Sequence, residues 1–378
     1  MQHIVIITTS FPQSTPGVEA AGSFVYDFAI ELAKHTRVTV IAPGDITAVE
    51  QQESITVNRF AVPMLPLSLL SIFNPYHWYP IYRTMKAGMD MTRDLLKSEK
   101  YDYIFALWTL PSGYWARKVL TNSHIKYAVW SLGSDIWKFK TIPFIRSILR
   151  KVLIDADQCF ADGYLLKSDV EILSGRTCHF LPSARKLKFN EQYKKREAPP
   201  YRFAFLGRWH VNKGIDLLLE SLGRLEENDW KNIEEVRIYG GGPLEPLVSE
   251  LITGLKIHSR PVIQGGYLSK EDAIELIRWA DYLLIPSRIE SIPVVFSDAM
   301  QCRTPVVAMP AGDLPELIPQ NNLGIVADEV SSKAYTSAIK RALMTSPQDY
   351  SRGMDLMCEK FKVENIVNQF LAVINNSP

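Results

Sequence analysis

Charge of one sign is what this 378-residue chain has least of: 42 Lys+Arg against 41 Asp+Glu leave a formal charge of +1. Proteins whose main partner is nucleic acid carry a basic field, so nucleic acid is not an expected partner. Cysteine is scarce. Cys159, Cys178, Cys302 and Cys358 lie far apart, with no CxxC or CxxH spacing. That excludes a zinc ribbon and a dithiol redox centre, and makes a reduced, cytoplasmic setting the expectation. Long apolar runs are missing too. Residues 60–73 fall short of the ~18–20 that a membrane span needs and contain Pro63 and Pro66. The start, Met1-Gln2-His3-Ile4-Val5-Ile6-Ile7, lacks the length and basic flank of a signal peptide. Neither GxGxxG nor GxxxxGK(S/T) occurs after a strand, which counts against a dehydrogenase and a P-loop kinase.

What is present is 47% hydrophobic and 22% charged, too apolar for a mainly disordered chain. At about 100–200 residues per domain, the length predicts two domains. In the first half, residues 3–9, 37–42, 55–62, 103–108, 127–132 and 158–161 read as strands. Between them, 23–34, 79–97, 112–121, 143–154 and 165–173 have helical period. The second half is more regular: strands at 202–206, 235–239, 261–264, 282–286, 305–308 and 324–326 alternate with helices at 215–225, 244–255, 270–280, 293–302 and 332–344. Uninterrupted apolar strands between amphipathic helices predict parallel sheets covered on both faces. The expected fold class is therefore α/β, with two Rossmann-like doubly wound domains, 1–185 and 202–355. The polar segment 186–201, ending in Pro199-Pro200, reads as the linker.

In such sheets ligands bind outside the carboxyl ends of the strands. The loop Gly207-Arg208-Trp209-His210-Val211-Asn212-Lys213-Gly214 sets two cations at the opening of a helix, where amide N–H groups and the helix dipole favour an anion such as a diphosphate. Two solvated surface cations would fit the same letters. Farther on, Glu290 stands at a helix entrance and Asp298 inside that helix. Together they could hold hydroxyls of a sugar and a ribose; singly, a helix cap and an exposed acid are equally good readings. Glycine turns, Gly240-Gly241-Gly242-Pro243 and Ala311-Gly312-Asp313, follow two other strands.

Taken in order, GR-x4-KG at 207–214, GGGP at 240–243, E-x7-D at 290–298, TPVVA at 304–308 and AG-x-x-PE at 311–316 resemble the C-terminal domain of the GT-B-fold, retaining, family-4-type glycosyltransferases (glycosyl transferases group 1). The likeness is strong over 202–328 and looser over the first half, through Gly22 and Leu132-Gly133-Ser134-Asp135. It implies two domains facing a central cleft (GT-B), with a last helix, 356–378, returning to the first domain. It also implies a hexosyltransferase that moves a sugar from a nucleotide-diphosphate sugar donor, with retention, to a glycan or lipid-linked acceptor in cell-envelope or exopolysaccharide biosynthesis. Arg208 and Lys213 would bind the donor diphosphate and stabilise its charge, and Glu290 would contact the sugar. Asp298 would hold the ribose hydroxyls, Gly22 would admit the donor to the backbone, and Gly266 and Tyr267 would lie near the base. Gly207, Ser291, Ile292 and Glu316 complete the implied donor set. The donor is a substrate, and neither cofactor nor metal is implied. This chain departs from the family with Asp298 for Glu, Pro293 for Gly, Leu107 and Leu132 for His, and Pro182-Ser183-Ala184-Arg185 for Asn-Gly-Val-Asp.

On the first domain, Asp135 is the acceptor-side candidate, with a structural turn as its alternative. Asp155-Ala156-Asp157 is formally the D-x-D of another glycosyltransferase fold, but it follows an amphipathic helix and leads into a strand, so it reads as punctuation. Residues 143–152 set Phe144, Ile145, Ile148, Leu149 and Val152 on one face and Arg146, Arg150 and Lys151 on another. Such a helix lies on an anionic membrane or packs its apolar face into the core. The aromatic stretch 65–82 suits an acceptor cleft or a membrane contact; peripheral contact at the inner face of a membrane is the expectation. A sugar-nucleotide epimerase and a non-catalytic nucleotide-sugar-binding subunit are the rival functions.

Overall fold

The computed structural model describes residues 2–13, 22–65, 67, 70–120, 124–188 and 194–376. It separates into two units, Met1–Pro182 with Val363–Pro378, and Ser183–Lys362.

The first unit runs β1 (His3–Ile7), α1 (Ser23–Leu32), β2 (Arg37–Gly44), β3 (Ala48–Gln52), β4 (Ile55–Ala61), α2 (Trp78–Ser98), β5 (Tyr103–Leu107), α3 (Tyr114–Val119), β6 (Lys126–Ser131), α4 (Ser134–Trp137), α5 (Pro143–Asp155), β7 (Gln158–Ala161), α6 (Tyr164–Ser174) and β8 (Cys178–Phe180). Its eight-stranded sheet has the order β3-β4-β2-β1-β5-β6-β7-β8. Among the described residues every pairing is parallel except β3 with β4. Side chains alternate across the sheet. Val5, Ile7, Ile104, Ala106 and Val129 enter one core layer with Trp115, while on the other Phe105 and Trp130 meet Phe28, and Phe160 meets Phe105.

The second unit runs β9 (Tyr201–Arg208), α7 (Ile215–Gly223), α8 (Glu227–Trp230), β10 (Ile233–Gly241), α9 (Glu245–Ile257), β11 (Val262–Gly265), α10 (Lys270–Trp279), β12 (Tyr282–Ile285), α11 (Val294–Gln301), β13 (Val306–Ala308), α12 (Leu314–Asn321), β14 (Gly324–Val326), α13 (Ser332–Leu343) and α14 (Ser351–Lys360). Its six strands, in the order β11-β10-β9-β12-β13-β14, are all parallel. The chain then forms α15 (Val363–Asn375), whose Phe370 enters the aromatic layer of the first unit, 4.3 Å from Phe105 between ring centroids.

The passage back to the first unit thus falls at Val363 instead of 356. α14 stays with the second unit because it packs on α11: Cys358 Sγ lies 3.7 Å from Gln301 O, and Arg303 pairs with Asp355. The described end of the expected linker is fastened as well. The buried ammonium of Lys195 donates to Arg278 O (2.9 Å), Ala280 O (2.6 Å) and Thr304 Oγ1 (2.7 Å) at the end of α10, and Arg196 N donates to Asp281 Oδ1 (3.0 Å). Residues 189–193 of that segment, and 66, 68 and 69 of the aromatic stretch, lie outside the described residues.

On α5 the apolar face is spent inside the unit. Leu149, Val152 and Leu153 are buried and Ile148 packs on the core, so the core-packed alternative holds and Phe144 alone of that face is exposed. Asp155 and Asp157 are tied to Arg117 (2.6 Å) and Tyr103 (2.9 Å), as punctuation between α5 and β7. No helix among the described residues is long and apolar enough to cross a membrane.

Candidate functional site

In the second unit the chain winds outward from β9 through β10 to β11, then returns to β12 and winds the other way to β14. The loops after β9 and β12 therefore part at a topological switch point, where a parallel sheet opens a crevice at its carboxyl edge. Sequence holds these loops together. Gly214 has φ 67°, and a Cβ there would sit 1.9 Å from Pro286 O, so only glycine allows the two backbones to touch. Arg288 N donates to Asn212 O at 2.8 Å. The Arg288 guanidinium reaches Val211 O at 2.6 Å and grips Asp216 with two bonds, 2.7 and 2.6 Å. Burial opposes ionisation of Asp216, but the Arg288 guanidinium holds its carboxyl below the ordinary value.

That scaffold brings the charged candidates to one edge. Lys213, at the end of the loop after β9, forms an ion pair with Glu290 in the loop after β12. Ser287 Oγ donates to the same Glu290 oxygen at 3.1 Å. Arg208, the last residue of β9, is exposed, and its side chain makes no hydrogen bond or ion pair with the described residues. Ser291 Oγ and Trp209 Nε1 are buried without a hydrogen-bond partner among the described residues. Such orphans are costly until a partner arrives. A third loop closes on the same place: Gly312, φ 55°, lies where a Cβ would be 2.2 Å from Glu290 O. Just beyond it, Glu316 is exposed in the first turn of α12.

The remaining second-unit candidates line this edge. Gly207, one residue before the end of β9, lies opposite Gly240 of β10. Gly266 O accepts from Gly240 N at 3.1 Å, and the exposed Tyr267 ring lies against Gly241. Ile292 is buried beneath the loop.

Asp298 is placed differently from its expected role. It is 0% exposed on α11, and Arg185 Nε donates to both its oxygens (3.2 and 3.1 Å), with Nη2 on Oδ2 as well. Ser297 Oγ donates to Ser183 O (2.8 Å) and Gln301 Nε2 to Arg185 O (3.0 Å). The segment before the linker is thus laced to one face of α11, and the carboxylate is engaged by the Arg185 guanidinium. The shorter aspartate keeps its charge close to the helix, where Arg185 meets it. Sequence reading missed Arg185, Arg288 and Asp216; the one signal was the departure at 182–185.

In the first unit, Gly22 precedes α1 against the backbone of Ser10 and Phe11. Asp135 is buried. Its Oδ2 accepts from Thr109 N (2.6 Å) and Oδ1 from Leu132 N (3.1 Å). Burial pushes its carboxyl above the ordinary range while these amides pull it down. Its bonds fasten the loops after β5 and β6, so the turn alternative is the one the geometry favours over the acceptor-side role. No group of His, Cys, Asp or Glu among the described residues is arranged to hold a metal ion.

Residues 200–345 match the family model for glycosyl transferases group 1. Over this segment the chain is similar to the glycosyl transferases group 1 family. The whole chain has the GT-B fold: sucrose-phosphate synthase from Thermosynechococcus elongatus superposes with a TM-score of 0.76 over 99% of this chain and 98% of that one, at 16% identity. Among curated relatives, the alpha-D-kanosaminyltransferase of Streptomyces kanamyceticus is 27% identical over 42% of this chain, which spans only 40% of that enzyme. The GDP-mannose-dependent alpha-(1-6)-phosphatidylinositol monomannoside mannosyltransferase of Mycolicibacterium smegmatis is 23% identical over 89% of this chain and 88% of its own length. Arg208, Lys213, Glu290 and the glycine-closed loops all lie inside the matched segment.

Proposed function

We propose that the protein is a retaining glycosyltransferase whose second unit binds a nucleotide-diphosphate sugar at the β9/β12 switch point. The observation that carries this reading is the meeting of Lys213 with Glu290 across two strand-end loops, with Arg208 on the same edge. A diphosphate entering there competes with Glu290 for the Lys213 ammonium and gains the guanidinium of Arg208. Ser291 Oγ, buried and without a hydrogen-bond partner among the described residues, would bond a ligand oxygen in this reading. Glu290 is then free to accept from a sugar hydroxyl.

As the bond from the anomeric carbon to the diphosphate oxygen breaks, its electron pair passes to the diphosphate. Arg208 and Lys213 stabilise that charge. The acceptor hydroxyl oxygen bonds to the carbon from the same face, and its proton goes to the departing diphosphate. The two side-chain cations supply the positive charge, so the step is proposed to need no metal ion. The acceptor is proposed to be a glycan or lipid-linked sugar of cell-envelope or exopolysaccharide assembly, in keeping with the phosphatidylinositol mannoside named for one relative.

A thermal-shift screen of UDP-, GDP- and ADP-sugars tests the reading, since a ligand that binds only the folded state raises its stability with concentration. One donor class should stabilise the protein and the Lys213→Ala variant should lose the shift; no shift with any donor would refute it. Leucine at 107 and 132, where the family has histidine, favours one alternative, a non-catalytic binder of the same donor. Release of nucleoside diphosphate by the purified protein separates the two.

A further inference from the structure

Between Glu53 and Asp90 the chain has no acidic residue. This stretch ends in a short turn, Pro75–His77, and the first half of α2. α2 has two unlike faces. Thr84, Gly88 and Thr92 are buried, and Gly88 lies so close to Trp115 that a Cβ would be 2.4 Å from the indole. Met85, Met89 and Leu96 pack on the same core. The opposite face carries Trp78, Tyr82 and Lys86 at four-residue spacing, with Tyr79 and Arg83 beside them. Together with Phe73 and Tyr76 from the preceding turn, the aromatics here are 61–89% exposed.

The patch is built, not loose. Trp78 Nε1 donates to Ile72 O (2.8 Å), Ser71 N to His77 Nδ1 (3.0 Å) and Tyr76 N to Asn74 Oδ1 (3.1 Å). The Arg83 guanidinium lies 5.9 Å from the centroid of the Tyr79 ring. Contiguous exposed aromatics mark an interaction surface. Tyrosine and tryptophan, apolar rings with polar tips, settle at the headgroup level of a bilayer. Arg83 and Lys86, whose closest acid in sequence, Asp90, pairs with Arg93, complement anionic headgroups. A second copy of the same cationic face would be repelled. α5, the other basic helix, has already spent its apolar side on the core.

We propose that the face formed by Phe73, Tyr76, Trp78, Tyr79, Tyr82 and the basic pair Arg83 and Lys86 docks on an anionic lipid bilayer. This stands apart from the donor reading, because its readout is binding alone.

The test is flotation of the full chain with phosphatidylcholine vesicles, with and without phosphatidylglycerol. The wild type should float with anionic vesicles and lose binding as salt rises. Trp78→Ser with Tyr82→Ser should weaken binding about tenfold or more, and Arg83→Gln and Lys86→Gln roughly fivefold each with a flatter salt dependence. Phe144→Ser on α5 should bind as the wild type does. All these side chains are exposed, so unchanged circular dichroism and melting separate lost docking from lost folding. Absence of wild-type binding to anionic vesicles, or equal binding by the aromatic and basic variants, would overturn the proposal. So would self-association of the wild type abolished by the same changes, which would assign the face to a second copy.

Discussion

Each unit has a switch point, β1/β5 in the first and β9/β12 in the second, and the same topology is furnished in opposite ways. At β9/β12 the strand-end loops carry Arg208, Lys213 and Glu290 outward, and a buried ion pair, Arg185 with Asp298, stands behind them on α11. At β1/β5 the loops carry hydroxyls that are satisfied internally: Thr8 Oγ1 donates to Ser10 O (2.9 Å), and Thr109 Oγ1 lies 2.8 Å from Ser131 Oγ. Among the described residues of these loops, the acid Asp135 points inward, accepting from Thr109 N and Leu132 N. Trp108 holds a left-handed φ of 66° there, strain that a non-glycine residue keeps only where its surroundings enforce it. A doubly wound sheet supplies a crevice, and residues decide what it can do. In the proposed reading the second crevice holds an anion, and the described loops of the first present no outward charge of that kind.

The largest effect expected from this contrast lies beneath the second site. Arg185→Ala leaves Asp298 fully buried without its guanidinium, and removing one partner of a buried pair costs about 3–5 kcal/mol. Urea denaturation should show that loss. A stable variant with weakened donor binding would instead move the pair into the ligand site. Next come the outward charges. Each charge-assisted hydrogen bond contributes about 1.5–3 kcal/mol, so Lys213→Ala and Arg208→Ala should each lower kcat/KM for the donor roughly 10–100-fold while melting is little changed. Normal turnover in either variant would erase the difference between the two switch points.

Local patterns made much of this legible. Strands such as β1, β2 and β12 are continuous apolar runs, and the glycine turns after β10 and β13 stood out as breaks. What stayed hidden was pairing over distance. Arg185 and Asp298 are 113 residues apart, and nothing in either neighbourhood announces the other. Lys195 lies in the segment read only as a polar linker, yet it is buried at the end of α10. β3 escaped because Ala48–Gln52, an antiparallel edge strand, buries little and contains Glu50 and two glutamines. For α5 the apolar stripe was plain, but which surface covered it depended on α3 and β6, which the stripe cannot name.

A smaller effect tests the first unit. Asp135→Asn keeps one acceptor but sets an amide N–H against the amide of Thr109 or Leu132. Leaving a buried group unsatisfied costs about 1–3 kcal/mol, so stability should fall while kcat per folded molecule is kept. The reverse result, full stability with lost turnover, would make Asp135 part of the reaction and give the first crevice a charge of its own.

The smallest effect concerns Asp155, the first acid of the D-x-D. Its side chain is 47% exposed and pairs with Arg117 at the end of α5, an arrangement that contributes about 0–1 kcal/mol. If charge in the first unit serves only to fasten it, Asp155→Asn should melt within a degree or so of the wild type, with turnover unchanged. Transfer should also be indifferent to a chelator, because the anion is met by Arg208 and Lys213 on the other unit. Loss of transfer on chelation, restored by a divalent ion and abolished in the Asp155→Asn variant, would put a working metal in the first unit and reverse the division of labour between the two switch points.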